Sequence, residues 1–460
     1  MNQKKSFLIF LIVGLMLFAL FFGAGNLIYP ALLGLYSGQN IWWAVLGFCL
    51  TAVTLPLLGV VAIAYTGAED AQGISSPVGR WYSIAFSVAL YLSIGPFFAI
   101  PRTGATSYAI GIEPIFGSSF MGKLLYALVF FGISYWLAIR PSKMADRIGK
   151  YLTPTLLVVL LVLVVASFLH PADGIGQAHN ASSAISDAFG DHPLIAGLIQ
   201  GYGTMDALAS LAFSIVVINS VKTLGIKKNT EIASVSVKSG VVAIVLLALV
   251  YIFVARIGAT SQSLFDFKQG VFMSNGGAVD GGQVLSLASR FYLGTIGQAV
   301  LALVIFLACL TTATGLITAC AEYFHKLLPR LSHQVWATIF TLVAMVLYFG
   351  GLSEIIKWSI PVLYLLYPLT VAIIFLALSQ KWFGKDPIVY QITIGFTALA
   401  GLYDALLTLS KMTGLFTLPN VVQSFFEAVP MGQFAMGWIS FSLCGFGIGM
   451  LCHVLKGKQN

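Results

Sequence analysis

The sequence predicts an all-α polytopic membrane protein with twelve transmembrane helices, and three observations carry that prediction. Of 460 residues, 58% are hydrophobic and only 9% are charged, where a soluble chain carries about a quarter charged residues. Twelve segments each supply the roughly 20 mostly apolar residues that a bilayer crossing needs. Two of these segments, the first and the sixth, are interrupted by a pair of glycines followed by an oxygen-bearing side chain.

Taken in order, the first span covers 6–35. Lys4-Lys5 and the apolar run behind it look like a signal peptide, but the run is too long and continues into Tyr29-Pro30. Its centre reads Gly23-Ala24-Gly25-Asn26. In hydrocarbon each unpaired backbone N–H or C=O costs several kcal/mol, so a break at that depth is retained where it lines a site for a small solute. Spans two to five occupy 41–65, 82–110, 120–139 and 149–169. The sixth, 193–219, breaks at Gln200-Gly201-Tyr202-Gly203-Thr204-Met205-Asp206. The seventh is 234–257, and the eighth, 292–323, carries Ala308-Cys-Leu-Thr311-Thr312. The ninth to twelfth cover 334–350, 356–380, 387–409 and 433–455. Short connections leave no room for a soluble domain. The loop 258–283 is the longest hydrophilic segment on its side. Its run Leu264-Phe-Asp-Phe267 and glycines 276, 277, 281 and 282 suit a folded hairpin, either a lid or an ordinary surface loop.

The net charge of +8 is explained by its distribution. With a cytoplasmic N-terminus, seventeen of the 24 Lys and Arg, Lys143, Lys227 and Lys458 among them, fall on the cytoplasmic side. Six fall on the other side, and Arg102 lies inside a span. That is the positive-inside asymmetry, which places both termini in the cytoplasm and removes any need for a nucleic-acid partner. The five cysteines sit in or beside apolar segments without metal or disulfide spacing. Repeated filter sequences, clustered catalytic groups and a phosphate-binding glycine loop are all missing from the sequence, which argues against a channel, an intramembrane enzyme and a primary pump.

Asn26 and Thr204 are 178 residues, or five spans, apart. Five is odd, so the two broken helices run in opposite directions, the mark of an inverted repeat. Spans 6–169 and 193–380 form the two five-helix halves, and 387–455 is peripheral. Amides freed at a break favour a carboxylate and freed carbonyls favour a cation, which points to an amino acid or a similar zwitterion. The hydroxyls of Thr311 and Thr312 offer hard neutral oxygens suited to Na⁺, unless they merely bond back to the preceding turn. Asp206, ionisable and near mid-span, could orient the break, pair with a cation, carry a proton or close the interrupted helix by hydrogen bonding. Arg102, after Pro101 and toward one end of the third span, could snorkel, gate or pair with Asp206.

Gly23-Ala-Gly-Asn26 with Tyr29-Pro30, and Ala308 with Thr311-Thr312, resemble the first-helix and eighth-helix motifs of LeuT-type sodium symporters. Phe22–Pro30, Gly95-Pro-Phe-Phe-Ala-Ile-Pro-Arg-Thr-Gly104 and Gly201–Leu208 resemble the narrower family of branched-chain amino acid carriers over nearly the whole length. The resemblance implies a LeuT-like 5+5 inverted repeat and uptake of leucine, isoleucine and valine across a bacterial inner membrane, driven by Na⁺ or, in some members, protons. It implies no cofactor beyond the coupling ion, and surrounding lipid as the only other partner. It further implies a sodium site from the carbonyls of Ala19, Phe22 and Ala308 with the Thr311 and Thr312 hydroxyls. The amides near Ala24 and Gly25 would meet the substrate carboxylate, and carbonyls of Gly201, Tyr202, Gly203 and Thr204 would meet its ammonium group. Asn26 matches the ligand of a second ion, for which the seventh span offers no matching partner.

Overall fold

The computed structural model describes residues 3–140, 145–181, 189–226, 228–274 and 277–457; Lys143, Lys227, Lys458 and Gly276 lie outside the described residues. The chain is helical wherever its apolar runs are uninterrupted, and it breaks at both predicted glycine pairs. Helix α1 (Gln3–Phe21) stops before Gly23, and α2 (Gly25–Ser37) resumes after it. Gly38, with φ 43°, ends α2. A single π-helical turn joins α3 (Ile41–Cys49) to α4 (Leu55–Thr66), forming the second span.

After the short α5 (Ala71–Ser75), the third span is built from α6 (Arg80–Leu92), α7 (Ala99–Thr106) and α8 (Glu113–Phe116). The sequence reading treats 82–110 as one unbroken helix. The structure interrupts it at Gly95 (φ −88°, ψ −122°), just before Pro96, because proline removes a donor and clashes with the preceding turn. Helices α9 (Phe120–Ala138) and α10 (Thr153–Leu169) complete the first five spans. The sixth comprises α11 (Pro193–Tyr202) and α12 (Asp206–Thr223), and the seventh is α13 (Asn229–Ala259).

The loop beyond α13 folds as an antiparallel sheet of β1 (Asp266–Lys268), β2 (Val271–Ser274) and β3 (Gly277–Ala278). It covers the end of α2: the Phe272 amide donates to Tyr36 Oη at 3.2 Å, and Gln262 Nε2 donates to the Leu35 carbonyl at 2.6 Å. The second bond satisfies one of the carbonyls that a helix C-terminus leaves open. Helix α14 (Gly281–Leu327) is longer than the predicted eighth span because Gly294, at φ 61°, divides an outer segment from the membrane-crossing part. Helices α15 (His333–Tyr348), α16 (Leu352–Ser379), α17 (Pro387–Thr413), α18 (Asn420–Ala428) and α19 (Trp438–Gly457) follow.

Among the described residues, ten helices are long and apolar enough to cross a membrane, and two shorter apolar helices cover Leu8–Phe21 and His333–Tyr348. Leu161, Val158 and Val346, on α10 and α15, stay more than half exposed. Apolar side chains in such numbers on an outer surface suit hydrocarbon, not water.

The packing is reciprocal. Helices α1 and α2 lie against α13, and α11 and α12 lie against α3 and α4, so the first span meets the seventh as the sixth meets the second. Backbone approaches backbone where α3 crosses α11: a Cβ on Gly47 would lie 2.0 Å from the Leu194 carbonyl oxygen, and one on Gly197 the same distance from that of Ala44. Small residues make such contact between membrane helices possible.

Candidate functional site

Both broken spans and the broken third span converge on one narrow cleft. Its wall combines apolar side chains such as Leu20, Phe21, Ile94, Phe213 and Leu316 with the polar groups of Asn26, Arg102, Thr204 and Asp206. A wider crevice of about 570 Å³ lies between α4, α12 and α13 beside Glu69 and Lys222, away from the breaks.

The first break is held by its own amide side chain. Gly23 N donates to Asn26 Oδ1 at 3.1 Å, and Asn26 Nδ2 donates to Asp206 Oδ2 at 2.5 Å and to Tyr251 Oη. Tyr251 Oη in turn donates to Asp206 Oδ2 at 3.1 Å. One buried network therefore ties the first, sixth and seventh spans together. The second break turns through Met205, which takes the left-handed φ of 64°, a conformation costing a non-glycine residue roughly 1–2 kcal/mol. Thr204 caps the turn through Oγ1, donating to the Gly201 carbonyl at 2.9 Å. Strain of this kind persists where surrounding contacts hold it, commonly at ligand sites.

Arg102 is 4% exposed, so it does not snorkel. Its Nη1 donates to the Gly203 carbonyl at 2.7 Å and Nη2 to the Thr204 carbonyl at 3.4 Å. Among the described residues it forms no ion pair with Asp206 or any other acid.

Beside the cleft, Thr311 Oγ1 donates to the carbonyls of Ala19 (2.8 Å) and Ala308 (3.0 Å), and Thr312 Oγ1 reaches the Ala19 carbonyl at 3.3 Å. The bond to Ala308 is the local back-bond that threonine makes in helices; the bonds to Ala19 cross to the end of α1. Phe22 stands one residue before Gly23, where a Cβ would lie 2.8 Å from Thr312 Oγ1. Two carbonyls and two hydroxyls thus cluster at the C-terminal, partially negative end of α1, a location that favours a cation.

Of the residues singled out from sequence, Ala24, Gly25, Asn26, Thr204, Asp206, Arg102 and Thr312 line the cleft. Gly201 packs against Thr51, and the Tyr202 ring stacks on Tyr367 with centroids 3.9 Å apart. Gly203 faces the Tyr29 ring and contributes its carbonyl to Arg102. Tyr251 and Met205 were not singled out. Tyr251 carries a hydroxyl in mid-span, which is the signal that could have found it.

Charges at the basic end form a separate cluster. Lys326 Nζ lies 2.6 Å from Asp70 Oδ2, Lys222 Nζ lies 3.1 Å from Glu69 Oε1, and Asp70 caps α5 through the Gly73 amide. Together these pairs join the loop after α4 to α12 and α14.

Comparison with known proteins gives concordant matches. The sequence model of the branched-chain amino acid transport protein family matches residues 6–456. The chain is 39% identical over 451 residues to the branched-chain amino acid permease BraB of Bacillus subtilis, covering 98% of this chain and 96% of that one. It is 40% identical to BrnQ of Lactobacillus delbrueckii subsp. lactis over the whole of both chains. It is 37% identical to the branched-chain amino acid transport system 2 carrier protein of Pseudomonas aeruginosa, covering 100% and 99%. These relatives are named as permeases and a carrier, not as enzymes. Among solved structures, the nucleobase-cation-symport-1 transporter Mhp1 aligns with TM-score 0.57 at 15% identity, covering 96% of this chain and 93% of its own. A manganese transporter of Eremococcus coleocola aligns with TM-score 0.58 at 12% identity, covering 96% and 95%. At these identities the likeness is one of fold, the LeuT-like fold of secondary transporters.

Proposed function

Since the chain belongs to the branched-chain amino acid transport protein family, we propose that it is a symporter importing leucine, isoleucine and valine with Na⁺ by alternating access. It would act in a bacterial cell membrane, with both termini in the cytoplasm and lipid around its apolar exterior. The observation that carries the sodium reading is the bridge from Thr311 and Thr312 to the Ala19 carbonyl. These atoms, with the carbonyls of Phe22 and Ala308, supply the hard neutral oxygens that Na⁺ takes. The ion would hold α1 against α14 in place of the threonine hydrogen bonds to Ala19, the hydroxyls turning their lone pairs to it, so its arrival and departure would bias the position of α1.

The zwitterionic substrate would present its carboxylate to the amides at the start of α2, around Ala24 and Gly25. Its ammonium group would face the Asp206 carboxyl, because the Gly203 and Thr204 carbonyls of the second break already accept from Arg102. The apolar part of the cleft suits a branched aliphatic side chain. One methylene there discriminates by only about 1–3 kcal/mol, so modest selectivity among the three substrates is expected. Binding of radiolabelled leucine to purified protein, in NaCl or in choline chloride, tests the coupling. Tighter binding in NaCl supports it; equal affinities contradict it.

A second reading, proton coupling, is favoured by one observation: Asp206 shares a buried network with Asn26 and Tyr251. Asp206→Asn separates the two. Under sodium coupling the variant binds leucine more weakly, having lost the ammonium group's partner, but still accumulates it on a Na⁺ gradient. Under proton coupling it loses accumulation while still exchanging internal for external substrate.

A further inference from the structure

Arg102 is a cation buried among the membrane helices that forms no ion pair among the described residues. Its guanidinium is fixed by the carbonyls of Gly203 and Thr204, its Nε has no hydrogen-bond partner, and the residue lines the cleft. A Cβ placed on Gly25 would lie 3.1 Å from Nη2, so the guanidinium stands directly beside the first residue of α2. That helix has no side-chain cap at Ala24, and the first amides of any helix lack partners within it. A helix N-terminus without a side-chain cap and a guanidinium without an ion-pair partner therefore line the same cleft. Each attracts an anion, and the guanidinium adds the planar donor fork that matches a carboxylate.

We infer that Arg102 and the N-terminus of α2 together form the subsite for the substrate's α-carboxylate, and that Arg102 sets the requirement for a free carboxylate. This rests on the reading of the substrate as an amino acid and assigns one residue of its recognition. Gly203 and Thr204 act as the frame that aims the guanidinium. The only acid lining the cleft among the described residues is Asp206, which accepts a hydrogen bond from the Asn26 amide. A zwitterion bound with its carboxylate at Arg102 therefore turns its ammonium group toward Asp206, away from the like charge of the guanidinium. An arginine that served only to brace the second break would behave differently, because its loss would weaken every ligand alike.

The test uses purified full-length protein, with leucine and its alcohol analogue leucinol as probes, read by titration calorimetry. A charge-assisted pair lost from a buried site predicts that the parent binds leucine about 30-fold more tightly than leucinol. In Arg102→Gln that preference should collapse to within a few-fold, through weaker leucine binding at unchanged leucinol affinity. Arg102→Lys, which keeps the charge without the fork, should fall between them. The inference is overturned if Arg102→Gln keeps the parent's preference, or if leucine and leucinol weaken equally. Should Arg102→Gln fail to fold, the parent decides alone: leucinol binding as tightly as leucine contradicts the subsite. A parent that binds none of the branched-chain amino acids refutes the amino-acid reading and the subsite with it. A parent that binds leucine normally while the variants keep its preference refutes the subsite only.

Discussion

Thr312 serves two neighbours: its hydroxyl reaches the Ala19 carbonyl, and Gly23 approaches it so closely that a Cβ would lie 2.8 Å from Oγ1. Thr312→Ala removes one of the oxygens and should weaken Na⁺ activation of leucine binding roughly tenfold, with the order of preference among leucine, isoleucine and valine unchanged. Sodium titrations at fixed leucine check this, and an unchanged midpoint would count against the site. Gly25 tolerates no bulk, because a Cβ would meet Arg102 Nη2 and the Thr204 Cα at 3.1 Å each. Gly25→Val should therefore express and fold yet lose at least about tenfold in leucine affinity; normal transport by it would refute the placement. At this scale the sequence was informative wherever a polar group stood in an apolar run, as Asn26, Thr311, Thr312 and Asp206 do. Tyr251 escaped notice because an aromatic ring in a membrane span reads as core. Met205 escaped because its residue type gives no hint of a left-handed turn.

Among the elements, the two breaks that carry Gly-x-Gly were legible, since each pair is followed by an oxygen-bearing side chain and the two stand at equivalent positions five spans apart. The break in the third span was not, although Gly95-Pro96 marks it. Proline is common in membrane helices, where neighbours re-satisfy the freed backbone groups, so it does not by itself separate a kink from an interruption. Gly294 was hidden for a related reason: one glycine in a 47-residue helix has no distinctive context. The hairpin after α13 was expected as a fold, and the structure shows it packed on the end of α2 through Tyr36 and Leu35. The acid pair Glu69-Asp70 went unread, because its partners Lys222 and Lys326 are more than 150 residues away. Asp70 both caps α5 and pairs with Lys326. Asp70→Ala should destabilise the protein by about 1–2 kcal/mol, visible as a lower unfolding temperature in detergent. An unchanged temperature would mean that the cluster does not hold the basic end together.

For the molecule as a whole, hydropathy was enough to mark the chain as a polytopic helical membrane protein, because a bilayer admits few backbone solutions. The odd number of spans between the breaks was enough to infer that they run in opposite directions. What the sequence could not supply was the reciprocity of packing, in which the first span meets the seventh as the sixth meets the second. That depends on helix faces brought together only by folding. The same packing explains why the cleft, the Ala19–Thr311–Thr312 oxygens and the Asn26–Asp206–Tyr251 network all adjoin the broken first span. Motion of α1 relative to α14 would therefore change ion contacts and substrate contacts together, which is what coupling requires. The most direct test is uptake of radiolabelled leucine into proteoliposomes under an imposed Na⁺ gradient or an imposed H⁺ gradient, applied separately. Accumulation driven by the Na⁺ gradient alone, and needing roughly tenfold more Na⁺ in Thr312→Ala, is the predicted result. Accumulation driven by the H⁺ gradient alone, unaffected by that substitution, would contradict it.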